Sequence, residues 1–306
     1  MGSKIREIPY CFYRYVLREY ERPLGFEDQL EIFRKLEGLE VAYRKANPSE
    51  SDKDTSLENL GYYLESLPKG KEPVIHFYIA KRISERKTYK REQVGEKRVL
   101  KEVIEFTDEY AICRVVALPS RGLMAISDQS GDLYIPANSG INRLATIVRQ
   151  IQGVRFDYEE ASRIEDIKQY MSRFKVHTIN FKARYANPSM SAPGDMLHQW
   201  LLENNAYTYG NVKAFPDEEG ERIIQNPEKG FVGELLGLAQ RGYAEIGIDG
   251  ITSKGYRIKT EKTPRGEEKR YLRVRIYIPF DPLEETEEEH VKNVAQVLIE
   301  FSVESL

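Results

Sequence analysis

The chain has 306 residues, of which 41% are hydrophobic, so it is long enough for two domains and apolar enough to fill a core, which excludes wholesale disorder. Its 46 basic and 49 acidic residues leave a net charge of −3, so a polyanion could bind only where basic side chains cluster. Two cysteines are too few for a disulfide framework or a cysteine zinc site, and no apolar stretch approaches the ~20 residues that span a bilayer. We therefore expect a cytoplasmic protein.

The first half of the sequence predicts mostly β-strands, interrupted by two helices. Residues 8–18 alternate and are rich in aromatic side chains, which is typical of a strand, whereas 47–56 is polar and predicts a surface loop. Helical spacing of apolar residues predicts helices over 25–38 and 137–153, with Ser139 as a cap of the second. Further strands are predicted at 73–83, 97–106, 109–118 and 121–127, with a turn at the Pro-Ser-Arg-Gly sequence of residues 119–122.

The second half begins again with a helix, predicted over 160–174. The alternating stretch 175–186 predicts a strand with Val176, Thr178, Asn180 and Lys182 on one face. The remaining predicted elements are a helix within 187–205, a helix over 226–243, a strand over 244–250, a hairpin over 255–280 and a final helix. We expect an α+β fold of antiparallel sheets packed with helices in two subdomains, a strand-rich domain at 1–157 and a second domain at 158–306.

The predicted hairpin carries a basic residue at nearly every second position. Residues two apart on a strand share a face, so Arg257 and Lys259 point together, and Arg273 and Arg275 do the same. The alternate positions suit packing on a core: they are Tyr256, Ile258, Leu272, Val274 and Ile276. The hairpin is therefore predicted to have one apolar side and one cationic side.

Two interpretations of the cationic side stay open. It could be a solvated face that local acids neutralise, for example the acidic run 281–289. It could instead contact the phosphates of nucleic acid, with Lys269 and Arg270 adding charge near the turn. Nothing in the pattern argues for recognition of particular bases.

A second basic segment lies at 81–101, where lysine and arginine far outnumber glutamate. It links two predicted strands as a long loop or an extended hairpin tip. Lys87, Lys90 and Arg91 are the candidates there for a second set of contacts to a DNA backbone. An ordinary charged loop is the alternative.

The sequence offers no strong catalytic pattern. It has no Gly-rich phosphate loop and no nucleophile elbow, and none of its four histidines lies at metal-ligand spacing from another. The best nuclease-like set is Glu245, Asp249 and Lys259, because carboxylates beside a lysine can hold magnesium and position water. However, Arg257 stands where an acid two residues before Lys259 would be expected. We expect no catalytic residue, no metal ligand and no cofactor.

The order of elements from about residue 170 to residue 250 follows a known pattern. An alternating strand ends in Ala-Asn-Pro-Ser at 186–189, and after a helix and a polar stretch comes a glycine-containing helix, GFVGELLGLAQRG. This order resembles the RexA-type phage-exclusion proteins and related phage-defence proteins. The resemblance implies a homodimer that binds double-stranded DNA largely without sequence preference, in abortive-infection defence beside a separate membrane protein. It carries over no catalytic motif and no binding residue.

The basic segments and the resemblance together predict a non-enzymatic DNA-binding protein of phage defence. Two alternatives stay open. One is a metal-dependent nuclease that uses Glu245, Asp249 and Lys259. The other is a protein-interaction subunit of a defence complex, whose cationic ribbon docks an acidic partner.

Overall fold

A computed structural model describes residues 5–43, 53–67, 70–94, 97–161, 163–164, 174–184, 207–214, 224, 230–240, 244–252, 254–260 and 272–303. The chain divides into two compact units. We call residues 12–159 and 286–299 the N-terminal unit, and residues 1–11, 160–285 and 300–306 the C-terminal unit. The division into domains at 157/158 stays a prediction.

Strands make up most of the N-terminal unit. In chain order its elements are β1 (Arg6–Glu19, whose first residues belong to the C-terminal unit), β2 (Arg22–Pro23), α1 (Phe26–Leu36), β3 (Val41–Ala42), β4 (Lys53–Leu67), β5 (Gly70–Val94), β6 (Lys97–Leu118), β7 (Leu123–Ser127), α2 (Ala137–Val148) and β8 (Val154–Glu160). Hydrogen bonds join the strands in the order β1-β7-β6-β5-β4-β3, and β2 and β8 also pair with β1. The pairs from β3 to β7 are antiparallel.

The helices of this unit form because their apolar residues recur at helical spacing and find a sheet to cover. On α1, Leu30, Phe33 and Leu36 are buried, and the Phe33 ring lies 5.0 Å from the ring of Phe77 in β5. On α2, Ile141, Leu144 and Val148 are buried in the same way. Both predicted helices are confirmed, although each ends before its predicted limit.

The predicted turn at residues 119–122 is also confirmed. Pro119–Arg121 form one turn of 3₁₀ helix, and Gly122 follows with a φ of 60°. A Cβ at Gly122 would lie 2.7 Å from the carbonyl oxygen of Tyr15, and the glycine oxygen accepts a hydrogen bond from the Tyr15 N–H. Glycine is therefore required here by both conformation and space.

The C-terminal unit combines a second run of strands with one helix and the end of another. Its elements are β9 (Arg163–Ile164), β10 (Lys175–Arg184), β11 (Tyr207–Lys213), α3 (Gly230–Gln240), β12 (Ala244–Ile251), β13 (Arg257–Thr260), β14 (Leu272–Phe280) and the last residues of α4 (Glu287–Val303). The strand order is β11-β10-β12-β13-β14-β1, all antiparallel where the register is defined, and β9 pairs with β14.

One face of these strands is the core of the C-terminal unit. Ile246, Ile248, Ile258 and Ile276 have no exposed surface, and α3 lies against β10 and β12. At this contact the ring of Phe231 meets that of Phe181 edge-on at 5.5 Å. Because side chains alternate along a strand, burying this face leaves the opposite face for polar residues.

Three predictions about element boundaries are wrong. The loop expected over 47–56 is wrong at 53–56, which belong to β4, whereas 47–52 lie outside the described residues. The buried Thr55 and Ser56 are polar, so no apolar alternation marks the strand. The strands expected at 97–106 and 109–118 are one strand, β6. The helix expected over 160–174 is wrong at residues 160, 163 and 164, which lie in strands, whereas 165–173 lie outside the described residues.

Two predictions about individual side chains are also wrong. A bulge in β10 between Val176 and Thr178 breaks the alternation, so Val176 is buried while Thr178, Asn180 and Lys182 share the other face. Ser139 does not cap α2, because the residue before the helix is Pro136 and the carboxylate of Asp128 accepts the Ala137 N–H instead.

The fold is a mixed one dominated by antiparallel strands, and this coarse expectation is confirmed. The helix predicted over 226–243 is present as α3, and the final helix is present as α4. The helix predicted within 187–205 lies outside the described residues. Among the helices that the structure describes, none is both long enough and apolar enough to cross a membrane.

Candidate nucleic-acid interface

The predicted basic hairpin forms from β13 and β14. The register places Lys259 opposite Arg275 and Ile258 opposite Ile276. Ile258, Val274 and Ile276 are fully buried, whereas Arg257 and Lys259 are on the side that keeps access to solvent. The hairpin therefore has the two-sided character that the alternation predicts.

Arg257 is the most exposed of the hairpin cations whose ion pairs are described. Its side chain is 46% exposed, and its Nη1 lies 2.9 Å from Oε2 of Glu7 in β1. The guanidinium carbon is also 5.4 Å from the centre of the Tyr277 ring. These two contacts orient the guanidinium, which has five N–H donors and so more than one carboxylate needs.

Lys259 lies between an acid and a base. Its Nζ is 3.8 Å from Oδ2 of Asp249, which is directly opposite in β12, and Arg275 is directly opposite in β14. Both partners of the ion pair are about one-third exposed. The acids in the described ion pairs of Arg257 and Lys259 therefore come from β1 and β12 rather than from the acidic run 281–289.

The cationic positions extend well beyond the hairpin. The register across the strands defines a polar face of the C-terminal unit. It is made of these positions: Tyr207, Tyr209, Asn211 and Lys213 in β11; Lys175, Thr178, Asn180, Lys182 and Arg184 in β10; Glu245, Gly247, Asp249 and Ile251 in β12; Arg257 and Lys259 in β13; Arg273, Arg275, Tyr277 and Pro279 in β14; Glu7 and Pro9 in β1.

One cross-strand row of the polar face crosses five strands. Its members, each directly opposite the next, are Lys213, Thr178, Asp249, Lys259 and Arg275. At about 4.8 Å between strands the row is roughly 19 Å wide. Lys182 and Lys213 are exposed at one end of the face, beside Tyr209, which is 75% exposed. Sequence reasoning missed the basic members Lys175, Lys182, Arg184 and Lys213, because only the strand order brings them beside the hairpin.

Of three further hairpin candidates, one can be placed in part and two cannot be placed. Arg273 belongs to β14 and lies opposite Arg163 of β9, but its side chain is outside the described part. Lys269 and Arg270 lie outside the described residues altogether.

The second basic segment is an extended antiparallel ribbon and not a loop. Lys87, Lys90 and Arg91 belong to β5, which pairs with β6 as far as Val94 opposite Lys97. The register places positions 87 and 91 on one face of the ribbon and position 90 on the other. The side chains of all three lie outside the described part, so the structure gives only the positions of these residues along the ribbon.

The nuclease-like set is only partly brought together. Asp249 and Lys259 are neighbours, but Glu245 precedes Asp249 by four residues on the same strand, which separates the two positions by about 13 Å. Two carboxylates on one magnesium ion would have to approach much more closely. Within the described residues, no group of three His, Cys, Asp or Glu side chains could hold a metal ion.

Comparisons with known proteins were made for the whole sequence. No family model matches it. No curated protein matches it significantly either. Function is therefore inferred from the geometry of the chain and from the resemblance in element order.

Proposed function

We propose that this protein binds nucleic acid, most readily double-stranded DNA, through the polar face of the C-terminal unit. The observation that supports this proposal is the surplus of basic positions on that face. By register the basic positions are Lys175, Lys182, Arg184, Lys213, Arg257, Lys259, Arg273 and Arg275, and the acidic ones are Glu7, Glu245 and Asp249. Because the whole chain has a net charge of −3, its average composition does not account for this excess of basic residues on one face of the sheet.

The ion pairs on the polar face do not prevent phosphate binding. Arg257–Glu7 and Lys259–Asp249 are between one-third and one-half exposed, and such pairs are typically worth about 0–1 kcal/mol. A phosphate that replaces the carboxylate also releases counterions from the nucleic acid, which adds free energy that salt weakens. The pairs act as competitors with the ligand, and they hold the basic side chains in place in its absence.

The expected binding has little sequence preference. Lysine and arginine on a sheet face reach phosphates, and phosphate contacts set register and orientation without reading bases. Tyr209 and Tyr277 offer ring surface beside the cations, which suits stacking on unpaired bases as well. The contribution of these rings would appear as a difference between single-stranded and double-stranded probes.

The test is fluorescence anisotropy with a duplex oligonucleotide over a series of salt concentrations. We expect affinity to fall with salt, and the double variant Arg273→Glu, Arg275→Glu to bind more weakly, with a slope of log K against log salt reduced by about 0.9 per lost phosphate contact. The matched control reverses the same charge at exposed positions of the N-terminal unit, Lys35→Glu and Lys71→Glu. Equal binding by wild type and the Arg273/Arg275 variant would refute the proposal.

A metal-dependent nuclease is the second candidate, because Asp249 and Lys259 are in contact. Incubation of plasmid with magnesium distinguishes the two functions: cleavage that Asp249→Ala abolishes supports the nuclease, and intact plasmid supports the binder. If the protein shifts no nucleic acid even at low salt, the third candidate is favoured, namely a protein-interaction subunit whose polar face docks an acidic partner.

The biological setting remains part of the proposal and rests on the resemblance to RexA-type proteins. It comprises a cytoplasmic homodimer, a role in abortive infection and a separate membrane-protein partner. The α+β packing and the two subdomains belong to the same proposal. Plating of phage on cells that express wild type or the Arg273/Arg275 variant tests the role, and sedimentation equilibrium tests the dimer. Equal protection by both forms would separate the defence role from the polar face.

A further inference from the structure

A cavity of about 460 Å³ opens in the N-terminal unit, away from the polar face. It lies between β5, β6, the segment before α2 and the first turn of α2. Most of its polar lining is charged, and the lining side chains used below are Lys81, Glu109, Asp132, Ser139 and Arg143. Its volume falls in the range of sites for small molecules and cofactors.

The start of α2 supplies the first feature that suits an anion. Pro136 and Ser139 line the cavity, and α2 continues for 12 residues. Asp128 accepts the Ala137 N–H, but helical geometry gives the next N–H groups, of Asn138 and Ser139, no acceptor inside the helix. Together with the helix dipole, these groups make the first turn of α2 favourable for negative charge.

Arg143 supplies an independent second feature, one turn further along α2. The residue lines the cavity although it is only 5% exposed. Its Nη1 donates to Thr55 and lies 3.4 Å from both carboxylate oxygens of Asp54, while its Nε has no acceptor within the described part of the chain. Among the described contacts Asp54 is the acid that pairs with this buried guanidinium, so its unused Nε donor is available to a ligand.

The stacking of Arg143 on Tyr43 keeps that charge near the cavity. The guanidinium carbon lies 4.1 Å from the centre of the Tyr43 ring. Asp54 also accepts hydrogen bonds from the Tyr43 N–H and the Thr55 hydroxyl, so its lone pairs are shared among several donors. Arg143 is therefore held in place by groups that do not use up its hydrogen-bonding capacity.

The other charged residues of the cavity indicate which chemical groups the ligand has besides its anionic group. Lys81 of β5 is exposed at the cavity and adds a second cation. Glu109 and Asp132 are acceptors of the opposite sign, which disfavour a ligand that is anionic throughout and favour one with hydroxyl groups. This combination of charges suits a ligand that has a compact anionic group at one end and hydroxyl groups at the other.

We propose that this cavity binds a small phosphomonoester that carries hydroxyl groups, such as a sugar phosphate or a mononucleotide. The phosphate lies at the first turn of α2 with Lys81 and Arg143 as its cations, and hydroxyl groups lie toward Glu109 and Asp132. This site is independent of the polar face and of nucleic-acid binding.

The test is isothermal titration calorimetry of the full chain with ribose 5-phosphate and adenosine 5′-monophosphate at constant ionic strength. Ribose alone is the control ligand, and we expect it to bind at least about tenfold more weakly, because it lacks the charge that the helix start and the cations favour. If neither phosphate ester binds, or if ribose binds as tightly as ribose 5-phosphate, the proposal is wrong.

Two variants locate the binding without relying on removal of the buried arginine. Ser139→Asp places a carboxylate in the first turn of α2, which favours the helix and repels a phosphate, so thermal stability should hold while affinity for ribose 5-phosphate falls at least about tenfold. Lys81→Gln should weaken binding, whereas Lys71→Gln, on the same strand outside the cavity, should not. Unchanged affinity in both Ser139→Asp and Lys81→Gln would overturn the proposal. So would loss of ribose 5-phosphate binding in the Arg273/Arg275 variant.

Discussion

Lys259 of β13 lies directly opposite Asp249 of β12, with its Nζ 3.8 Å from the Asp249 Oδ2. A second ion pair joins β13 to β1 across β14, where Arg257 Nη1 is 2.9 Å from Glu7 Oε2. On the polar face, two acidic side chains thus form ion pairs with two of the basic side chains that we propose to bind phosphate. If these acids compete with phosphate, then neutralising them must strengthen binding.

We predict that Asp249→Asn and Glu7→Gln each tighten binding to duplex DNA. Each variant releases one cation from an exposed pair worth about 0–1 kcal/mol, so the gain is at most about fivefold at low salt and shrinks as salt is added. Fluorescence anisotropy measures it. Glu159→Gln, which removes the same charge from an exposed pair with Arg14 in the N-terminal unit, is the matched control. Weaker or equal binding by both Asp249→Asn and Glu7→Gln would count against the polar face.

The hairpin was predictable because its evidence is local. Alternation within 255–280 places Ile258 and Ile276 on one side and Arg257 and Arg275 on the other, and no distant residue is needed to deduce it. The wider polar face was not predictable in this way. β12 follows β11 in sequence but lies between β10 and β13 in the sheet, so only the strand order brings Lys213 into line with Arg275.

The ion pairs could not be predicted from the sequence for the same reason. Arg257 and Glu7 are separated by 250 positions in the chain, and no periodicity connects them. Within one strand, a single extra residue makes the prediction from alternation wrong. The bulge in β10 places Val176 on the buried face, although alternation assigns it to the polar one. The cavity beside α2 gave no sequence signal, because Arg143 looks like any polar residue of an amphipathic helix.

Lowering the pH should weaken the packing of α4 in the N-terminal unit, because Glu287 becomes protonated. Burial by itself raises the pKa of Glu287, but hydrogen bonds from Tyr78 and Arg114 outweigh burial and lower the pKa below its ordinary value. Arg114 makes a two-point contact, Nε to Oε1 at 2.8 Å and Nη2 to Oε2 at 2.7 Å. A folded-state pKa below the unfolded one gives stability that is present above about pH 4.3 and is lost as pH falls through the folded pKa.

We therefore predict that Glu287→Gln lowers stability at pH 7 and flattens the loss of stability between about pH 5 and pH 2. Urea unfolding at a series of pH values measures both effects. Glu288→Gln is the control on the same turn, because Glu288 is 61% exposed and its described ion pair is with Lys292 one turn further along the helix. If the acid limb of Glu287→Gln has the same slope as that of wild type, the Arg114–Glu287 contact does not stabilise the fold.

The contact between Gly140 of α2 and Cys113 of β6 should limit the size of residue 140. A Cβ there would lie 2.6 Å from Sγ of Cys113, which is buried, so Gly140→Ala forces the helix or the strand to move. Overpacking of this kind typically costs about 1–3 kcal/mol, more than the gain in helix propensity from alanine. Cys113→Ala removes the sulfur, so the double variant should be less destabilised than the sum of the two single ones. Chemical unfolding of all four proteins measures this coupling. Strict additivity would mean that residues 140 and 113 do not constrain each other and that α2 does not approach β6 as closely as the contact requires.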